Sequence, residues 1–382
     1  MVAGYPKVVE ISTRLRRYSQ QVAKILIAPD SFKGSATSAQ VASALAEGWK
    51  ISRPEDEIVI APFADGGEGT LDCIESVTPG SVRIPITVQG ATGIQHESSW
   101  LLVGSDTAVI EMATLCGITT VDQLDPLGAH SFGLGQAIKA VIADDRVNEV
   151  LVAVGGSAST DAGMGALSAL GFKGLDSSGN EVALGGGNLH HLARIENPAS
   201  IRKPSRGIKV LVDVQSPLTG RNGAAHIFGP QKGADAKQVE ELDAGLAHFL
   251  GILGAEDRPG FGAAGGVSCG LAVLLGATIV SGVETIAEVI GLQEKIHDAD
   301  CVITGEGSFD EQSYRGKAVG YLLEKSKEIE RPVMIACGVN KNEESPSIIS
   351  LIELAPSVQS AISDSQHWLI EGGKVLAARF NH

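Results

Sequence analysis

Short apolar runs that stop at glycine, proline or acidic residues indicate buried strands towards both ends of the chain. The first run covers residues 24–28 in the segment KILIAPD, and comparable runs occur in EIVIAPF, CVITGEG and VMIACGV. After the first run, Val41, Leu45 and Trp49 recur at the spacing of one helix face within residues 38–50. Apolar strands that are separated by helices predict a parallel sheet with right-handed crossovers.

The middle of the chain has a different pattern, in which apolar and polar residues alternate and only short turns intervene. The alternation covers SVRIPITVQG and SSWLLVGSDTAVIEM, and it is typical of a mixed or antiparallel sheet. The segments VLVAVGG and KVLVDVQ then return to buried strands that are followed by helices. We therefore predict an α/β fold class with two domains. A Rossmann-like parallel-sheet domain is built from both chain ends, residues 23–88 plus 288–382, and a mixed-sheet α/β domain is inserted at residues 89–287.

The first 22 residues differ from the rest, because they carry the basic segment RLRRYSQ and no apolar run long enough for a signal peptide. We interpret residues 1–22 as a disordered N-terminal leader, with an organelle-targeting segment as the alternative. The longest apolar stretch, residues 271–280, is interrupted by Gly276 and is far shorter than the ~20 residues that span a bilayer. The sequence therefore predicts no membrane helix.

Net charge and cysteine content limit the ligands and metal sites to be expected. The chain of 382 residues has a net charge of −15, which disfavours attraction to nucleic acid or to an anionic membrane. Its 5 cysteines form no C-x-x-C pair, which argues against a zinc site or a disulfide framework. We expect a cytoplasmic protein, monomer or homodimer, that acts on a small molecule.

Three predicted strands end in loops that combine glycine with acidic residues: residues 30–34 (DSFKG), 65–69 (DGGEG) and 305–307 (GEG). Ligands of open parallel sheets gather at the carboxyl ends of the strands. Three such loops on one edge would crowd carboxylates that repel one another unless a cation lies between them. Magnesium suits this place, because it prefers oxygen ligands and bridges phosphates. In the alternative interpretation the acidic residues cap helices and the glycines form turns.

A fourth loop, GGSASTD at residues 155–161, follows a buried strand and precedes a predicted helix. Its backbone N–H groups and hydroxyls could bind phosphate oxygens at a helix N-terminus, or the loop is an ordinary Ser/Thr helix cap. The positive charges that an anionic substrate needs are offered by Lys33, Lys232, Arg315 and Lys317, each of which is otherwise a solvated surface charge.

Several well-known motifs are missing from the sequence or lack the context they need. The one G-x-G-x-x-G, GFGAAG at residues 260–265, follows the polar segment AEDRP and no apolar strand, which weakens a nicotinamide dehydrogenase interpretation. There is no G-x-x-x-x-G-K-[ST], which excludes a P-loop kinase. There is also no H-E-x-x-H zinc motif among the 9 histidines.

Six sequence blocks across residues 24–340 carry a family resemblance. They are IAPDSFKGS, ADGGEGT, GGSAS followed by DAG, FGPQKGA, GAAGG and TGEGSFD with QS and GKA beyond it. Together they resemble the signature of the bacterial-type glycerate kinase family (glycerate 2-kinase-like). The resemblance implies a two-domain α/β kinase that uses ATP and magnesium on D-glycerate, commonly yielding 2-phosphoglycerate. The chain departs from the family pattern at Gln215–Leu218, at Thr160 and at Ala162, which bears on substrate preference.

We assign roles to the candidate residues from their loops. Asp65 is the predicted hydroxyl-orienting base, because the two glycines after it let a ligand approach closely; Asp161 is the second choice. The catalytic set is Asp65, Asp161 and Lys33; the substrate-binding set is Asp30, Ser31, Lys33 and Glu68; the metal ligands are Glu68 and Glu306. The cofactor-binding set is Gly155, Gly156, Ser157, Thr160, Gly305, Glu306, Gly307 and Lys317. A non-catalytic sugar-acid sensor that kept the binding fold is the alternative function, disfavoured because a sensor needs no phosphoryl-transfer carboxylates.

Overall fold

The structure is a computed structural model that describes residues 22–314 and 317–380. The predicted leader, apart from Val22, and Arg315 lie outside the described residues.

Strands and helices are numbered in chain order. The strands are β1 (Lys24–Ile27), β2 (Glu57–Ile60), β3 (Val82–Gln89), β4 (Gln95–Val103), β5 (Thr107–Glu111), β6 (Glu149–Ala153), β7 (Lys173–Leu175), β8 (Arg194–Glu196), β9 (Ile208–Leu211), β10 (Thr278–Val280), β11 (Cys301–Phe309), β12 (Val333–Asn340) and β13 (Ile348–Ser350). The helices are α1 (Ser38–Ser52), α2 (Thr70–Val77), α3 (Met112–Cys116), α4 (Phe132–Ala143), α5 (Met164–Ala169), α6 (Ala224–Phe228), α7 (Ala236–Leu253), α8 (Val267–Gly270), α9 (Gly282–Val289), α10 (Leu292–Asp298), α11 (Ala318–Glu328), α12 (Leu351–Leu354), α13 (Val358–Ser363) and α14 (Ser365–Arg379).

The first sheet is parallel throughout and is built from the two ends of the chain. Its 5 strands follow the order β13-β12-β11-β1-β2. The register pairs Ile27, the last residue of β1, with Ile303 of β11 and with Ile60, the last residue of β2. Because all of these strands run in one direction, the loops that follow them emerge at one edge.

The second sheet is mixed and is formed by the middle of the chain. Its 6 strands follow the order β10-β9-β6-β5-β4-β3. The strands β10, β9, β6 and β5 are parallel to one another, and β4 pairs antiparallel with both β5 and β3. The strands β7 and β8 form a separate antiparallel pair. The predicted fold class is therefore confirmed, including the insertion of the mixed sheet between two parts of the parallel one. The domain limits at 88/89 and 287/288 stay a prediction.

Helix α1 shows how closely local sequence determines these elements. It begins after Thr37, whose hydroxyl accepts a hydrogen bond from the backbone N–H of Gln40 while the Gln40 side chain accepts one from Thr37, a capping box. The three residues on the predicted face, Val41, Leu45 and Trp49, are all fully buried. Burial of three such side chains contributes about 1.5–3 kcal/mol each.

One hydrophobic cluster joins the two sheets. Leu26 and Val302 from the first sheet and Leu151 and Leu211 from the second belong to it, and helices α2, α9, α10 and α11 contribute the side chains between them. The two sheets therefore share a packed interior instead of being linked by hinges alone. Among the helices described, none is long and apolar enough to cross a membrane.

Candidate active site

A cavity of about 440 Å³ opens at the carboxyl edge of the first sheet. The loop after β1, the loop after β2 and the end of β11 all contribute to its wall, as the positions of the acidic glycine loops predicted. Its charged and polar lining consists of Asp30, Ser31, Lys33, Ser35, Asp65, Glu306, Ser308, Asp310 and Lys317. The cavity brings together seven predicted site residues: Asp30, Ser31, Lys33, Asp65, Glu306, Gly307 and Lys317.

Asp30 lies close to two other carboxylates, those of Asp65 and Glu306. Its backbone N–H donates to the carbonyl of Gly305 over 2.8 Å, which fixes the loop after β1 against β11. Its Oδ1 accepts a hydrogen bond from Ser31 N at 2.6 Å. Burial, and then the nearby charges of Asp65 and Glu306, raise the pKa of Asp30 to about 7, against the opposing effects of the Ser31 N–H and Lys33.

Glu306 is a buried carboxylate on the cavity wall. The residue is 9% exposed, and within the described residues its Oε1 has no hydrogen-bond partner. Burial raises the pKa of the Glu306 carboxyl, while Lys317 and a hydrogen bond from Ser313 oppose the rise. The hydroxyl of Ser308, on the same strand, also lacks a hydrogen-bond partner in the part of the chain that is described. A buried acceptor without a donor costs about 1–3 kcal/mol, so the cavity favours a ligand that supplies positive charge or a donor.

The donor set fits magnesium only in part. Carboxylate oxygens are the ligands that Mg²⁺ prefers, but it is usually held by one or two carboxylates and completed by substrate phosphates and water. In the part of the chain that the structure describes, no three His, Cys, Asp or Glu side chains are arranged to hold a metal by themselves. The residues are therefore suited to Mg²⁺ that arrives with phosphate. Glu68 is exposed and does not line the cavity, so its predicted partnership with Glu306 remains a prediction.

The Asp65 loop is held by a carboxylate from the second sheet. Glu111, at the end of β5, accepts hydrogen bonds from the backbone N–H groups of Gly69 (3.0 Å) and Leu71 (2.9 Å) at the start of α2. Gly66 and Gly69 have φ of 91° and 86°, values that favour glycine over any residue with a Cβ. Burial raises the pKa of Glu111 to about 7. Our sequence reasoning missed this residue, because an acid in a run of strand residues carries no glycine signal.

Asp213 is a second anchor that we missed. It follows β9 and accepts hydrogen bonds from Ser281 Oγ (2.9 Å), Gly282 N (3.0 Å) and Val283 N (2.9 Å), so it caps helix α9. Burial, supported by the nearby charge of Asp65, raises the pKa of Asp213 to about 6. Its position directly beyond a buried strand was the available signal.

The glycine-serine loop 155–161 touches the Asp65 loop but does not line the cavity. Gly155 N donates to Gly66 O over 3.1 Å, and a Cβ at Gly155 would lie 2.5 Å from the Cα of Gly67. Gly156 is exposed, whereas Ser157 and Thr160 are buried. The loop therefore contacts the Asp65 loop without lining the cavity. The predicted cofactor contacts of Ser157 and Thr160 are not found at the cavity.

Asp161 occupies the place that the sequence suggested for a phosphate. It is fully buried, and its Oδ2 accepts hydrogen bonds from Ser131 N (2.8 Å), Ser131 Oγ (2.8 Å) and Gly165 N (3.1 Å). Its Oδ1 accepts another from Gly163 N at 3.1 Å. Helix α5 begins at Met164, so the N–H groups of Gly163 and Gly165 lie at its N-terminus. These four donors favour Asp161 as an internal anion that orders the loop over Asp161 as a base.

Lys232 lies beneath the same loop. It is 3% exposed, and its Nζ donates to Ser157 Oγ (2.8 Å) and to the carbonyl of Ser159. Burial lowers the pKa of Lys232 to about 7, although Asp161 nearby opposes the shift. Lys232 does not line the cavity, and its hydrogen bonds connect the FGPQKGA segment to the loop.

Comparison with known proteins agrees with the geometry. The sequence profile described as the Glycerate kinase family matches residues 25–381. The chain belongs to the glycerate kinase family. "Glycerate 2-kinase" of Escherichia coli (strain K12) is 39% identical over 325 residues, which cover 82% of this chain and 85% of that protein. "Glycerate kinase" of Bacillus subtilis (strain 168) is 34% identical over 93% of this chain and 97% of its own.

A solved structure extends the likeness of this glycerate kinase family member to three dimensions. A crystal structure of a candidate glycerate kinase 2 from Salmonella typhimurium LT2 superimposes with a TM-score of 0.78 at 32% identity, covering 94% of this chain and 98% of that one. The family resemblance that the six sequence blocks suggested is confirmed.

Proposed function

We propose that this protein transfers the γ-phosphoryl group of ATP to D-glycerate in the presence of Mg²⁺, giving 2-phosphoglycerate. The observation that carries the proposal is the cavity in which Asp30, Asp65 and Glu306 converge on the edge of the parallel sheet beside Lys33 and Lys317. Phosphoryl transfer needs this combination, because the metal and cations neutralise the phosphates while a carboxylate orients the attacking hydroxyl. The E. coli relative's name, Glycerate 2-kinase, supports position 2 as the acceptor.

We assign the metal to Glu306 and Asp30, whose crowding a divalent cation relieves. This replaces the predicted role of Glu68, which does not line the cavity. When bound, Mg²⁺ would neutralise charge on the phosphates. Lys33 then binds the glycerate carboxylate or a phosphate, and Lys317 binds a phosphate.

Asp65 is the residue that orients the glycerate hydroxyl. It lies on the cavity wall directly before Gly66 and Gly67, and Glu111 accepts hydrogen bonds from the far end of its loop. A carboxylate that remains accessible and is fixed by its loop is suited to accept a proton in the transition state. Asp161 becomes a positioning residue, because its oxygens are already occupied by the protein.

Turnover measured with both substrates tests the proposal. ADP release should require D-glycerate and ATP together, should stop in excess chelator and should return when Mg²⁺ is added. Phosphorus NMR of the product distinguishes 2-phosphoglycerate from 3-phosphoglycerate. The sensor alternative predicts that glycerate binds in calorimetry while no ADP forms, a result that would overturn the kinase assignment.

A further inference from the structure

The cavity has an apolar wall that the proposed phosphoryl transfer leaves unused. Apart from Phe32, its large apolar lining residues all come from one part of the chain, and together with Ala361 they are Val339, Leu351, Ile352, Val358 and Ile362. These residues come from the end of β12 and from helices α12 and α13. The charged lining comes from the loops after β1 and β2, from β11 itself and from the segment that follows it.

Two of these side chains are unusually exposed. Val358 is 56% and Ile362 is 50% exposed, and they are one helical turn apart on α13. Large aliphatic side chains in water forgo the favourable free energy that burial of their apolar surface would give. An apolar ligand surface laid across this helix face would recover that energy.

The chemistry of the two proposed substrates decides which of them can cover the wall. Glycerate is a three-carbon acid whose every carbon carries oxygen, so it has no apolar face to offer. A purine nucleotide has a flat, largely apolar base at one end and a polyanion at the other, which matches a cavity with an apolar wall and a charged end.

One polar group marks the junction between the two halves of the cavity. Ser308 pairs with Val339 in the register of β11 and β12, so it stands between Glu306 and the apolar wall. Its hydroxyl is buried without a hydrogen-bond partner in the described structure. A ribose hydroxyl of a nucleotide that spans the cavity would meet it there.

We propose that Val358, Ile362 and Ile352 form the binding surface for the adenine base, with the triphosphate directed towards Lys33 and Lys317. The proposal rests on the proposed function, because it takes ATP to be the donor. It assigns base recognition to the C-terminal part of the chain and phosphate recognition to the strand-end loops.

Calorimetry with two ligands separates the halves of the site. The wild type, a Val358→Ser/Ile362→Gln double variant and an Ile51→Gln control are each titrated with Mg-ATP and with Mg-tripolyphosphate, which lacks the base. Ile51 is an equally suitable exposed isoleucine, 58% exposed on helix α1 and outside the cavity. Thermal unfolding checks that all three proteins fold.

The double variant should bind ATP about tenfold more weakly or worse while its affinity for tripolyphosphate changes less than about twofold. The control should match the wild type with both ligands. Equal ATP affinity in the double variant overturns the proposal, and a change in oligomeric state with unchanged ATP affinity would assign the wall to contact between copies instead.

These results are distinguishable from failure of the proposed function. Normal glycerate phosphorylation with an unchanged KM for ATP in the double variant rejects only the adenine surface. ATP binding that depends on the wall, without phosphorylation of glycerate, rejects only the kinase activity. A wild type that binds no ATP rejects both.

Discussion

The loops at the edge of the first sheet and loop 155–161 of the second sheet look alike in sequence, but the structure uses them differently. Both follow buried parallel strands and both combine glycine with an acidic residue. At the first sheet, Asp30, Asp65 and Glu306 line one cavity, where burial and then neighbouring carboxylates raise the pKa of Asp30 and of Glu306. At the second sheet, Asp161 is surrounded by four hydrogen-bond donors of its own chain.

The difference shows what distinguishes a site from a structural loop. A carboxylate whose acceptors are filled by nearby N–H groups stabilises its loop and has little left for a ligand. A carboxylate that is partly buried, repelled by neighbours and short of donors stores unfavourable energy that a cation or substrate can release. The following predictions test this contrast through substitutions in one region and then in the other.

The largest effect is expected at Asp65. Asp65→Asn keeps the volume but removes the acceptor charge, so kcat should fall at least about a hundredfold while glycerate binding largely persists. Steady-state kinetics measure this, with Asp72→Asn on helix α2 as the matched control. Retention of more than a tenth of wild-type kcat would reject Asp65 as the base.

A smaller loss is expected at Lys33, which is exposed on the cavity wall. Lys33→Ala should lower kcat/KM by about tenfold or more, since it removes a cation from an anion site in an acidic protein. The control is Lys237→Ala, an exposed lysine of helix α7. Kinetics equal to the wild type would make Lys33 an ordinary surface charge.

The second region should respond in stability and hardly in rate. Asp161→Asn replaces an acceptor with a donor opposite backbone N–H groups, so the free energy of unfolding should fall by about 1–3 kcal/mol. Chemical denaturation measures this, and kcat of the remaining folded protein should drop less than tenfold. A hundredfold loss of kcat with unchanged stability would restore Asp161 as a candidate base.

The smallest effect concerns pH. The folded protein raises the pKa of Asp30 from its ordinary 3.8 to about 7, so it retains a proton that the unfolded chain has lost. The contribution of protonated Asp30 to the free energy of unfolding is therefore fully present below the ordinary pKa. It is lost as the pH rises through the pKa of the folded protein. The Tm of Asp30→Asn should depend less on pH across this window than that of the wild type.

The same comparison of Tm values can be made in the presence of Mg²⁺. Because a cation favours the ionised carboxyl, Mg²⁺ should raise the wild-type Tm more above the folded pKa of Asp30 than below it. Glu111 and Asp213 also titrate with raised pKa values, but they are common to both proteins and cancel in the comparison. An equal Mg²⁺ effect on the wild type and on Asp30→Asn would place the metal elsewhere.

Much of the first region could be predicted from sequence, and the reasons are local. Apolar runs defined the strands, and parallel strands necessarily bring their carboxyl ends together, so Asp30, Asp65 and Glu306 had to meet near one edge. Helix α1 followed from its spacing and its cap. The glycines marked where the backbone turns.

The features that could not be predicted from sequence depend on contacts between distant parts of the chain. Ser131 reaches Asp161 across 30 residues, and Glu111 reaches Leu71 across 40. Neither pairing has a local pattern, so a saturated carboxylate and an available one could not be distinguished beforehand. Likewise, the apolar cavity wall from α12 and α13 required the packing of the C-terminal segment against β12.

The contrast between the two regions is tested most directly by a crystal structure with D-glycerate, a nonhydrolysable ATP analogue and Mn²⁺ in place of Mg²⁺. Anomalous scattering locates the manganese without ambiguity. We predict the metal peak between Glu306 and Asp30, with the γ-phosphate beside it and a glycerate hydroxyl within hydrogen-bond distance of Asp65. Phosphates bound by the backbone of residues 155–160, with no metal at the edge of the first sheet, would contradict the account.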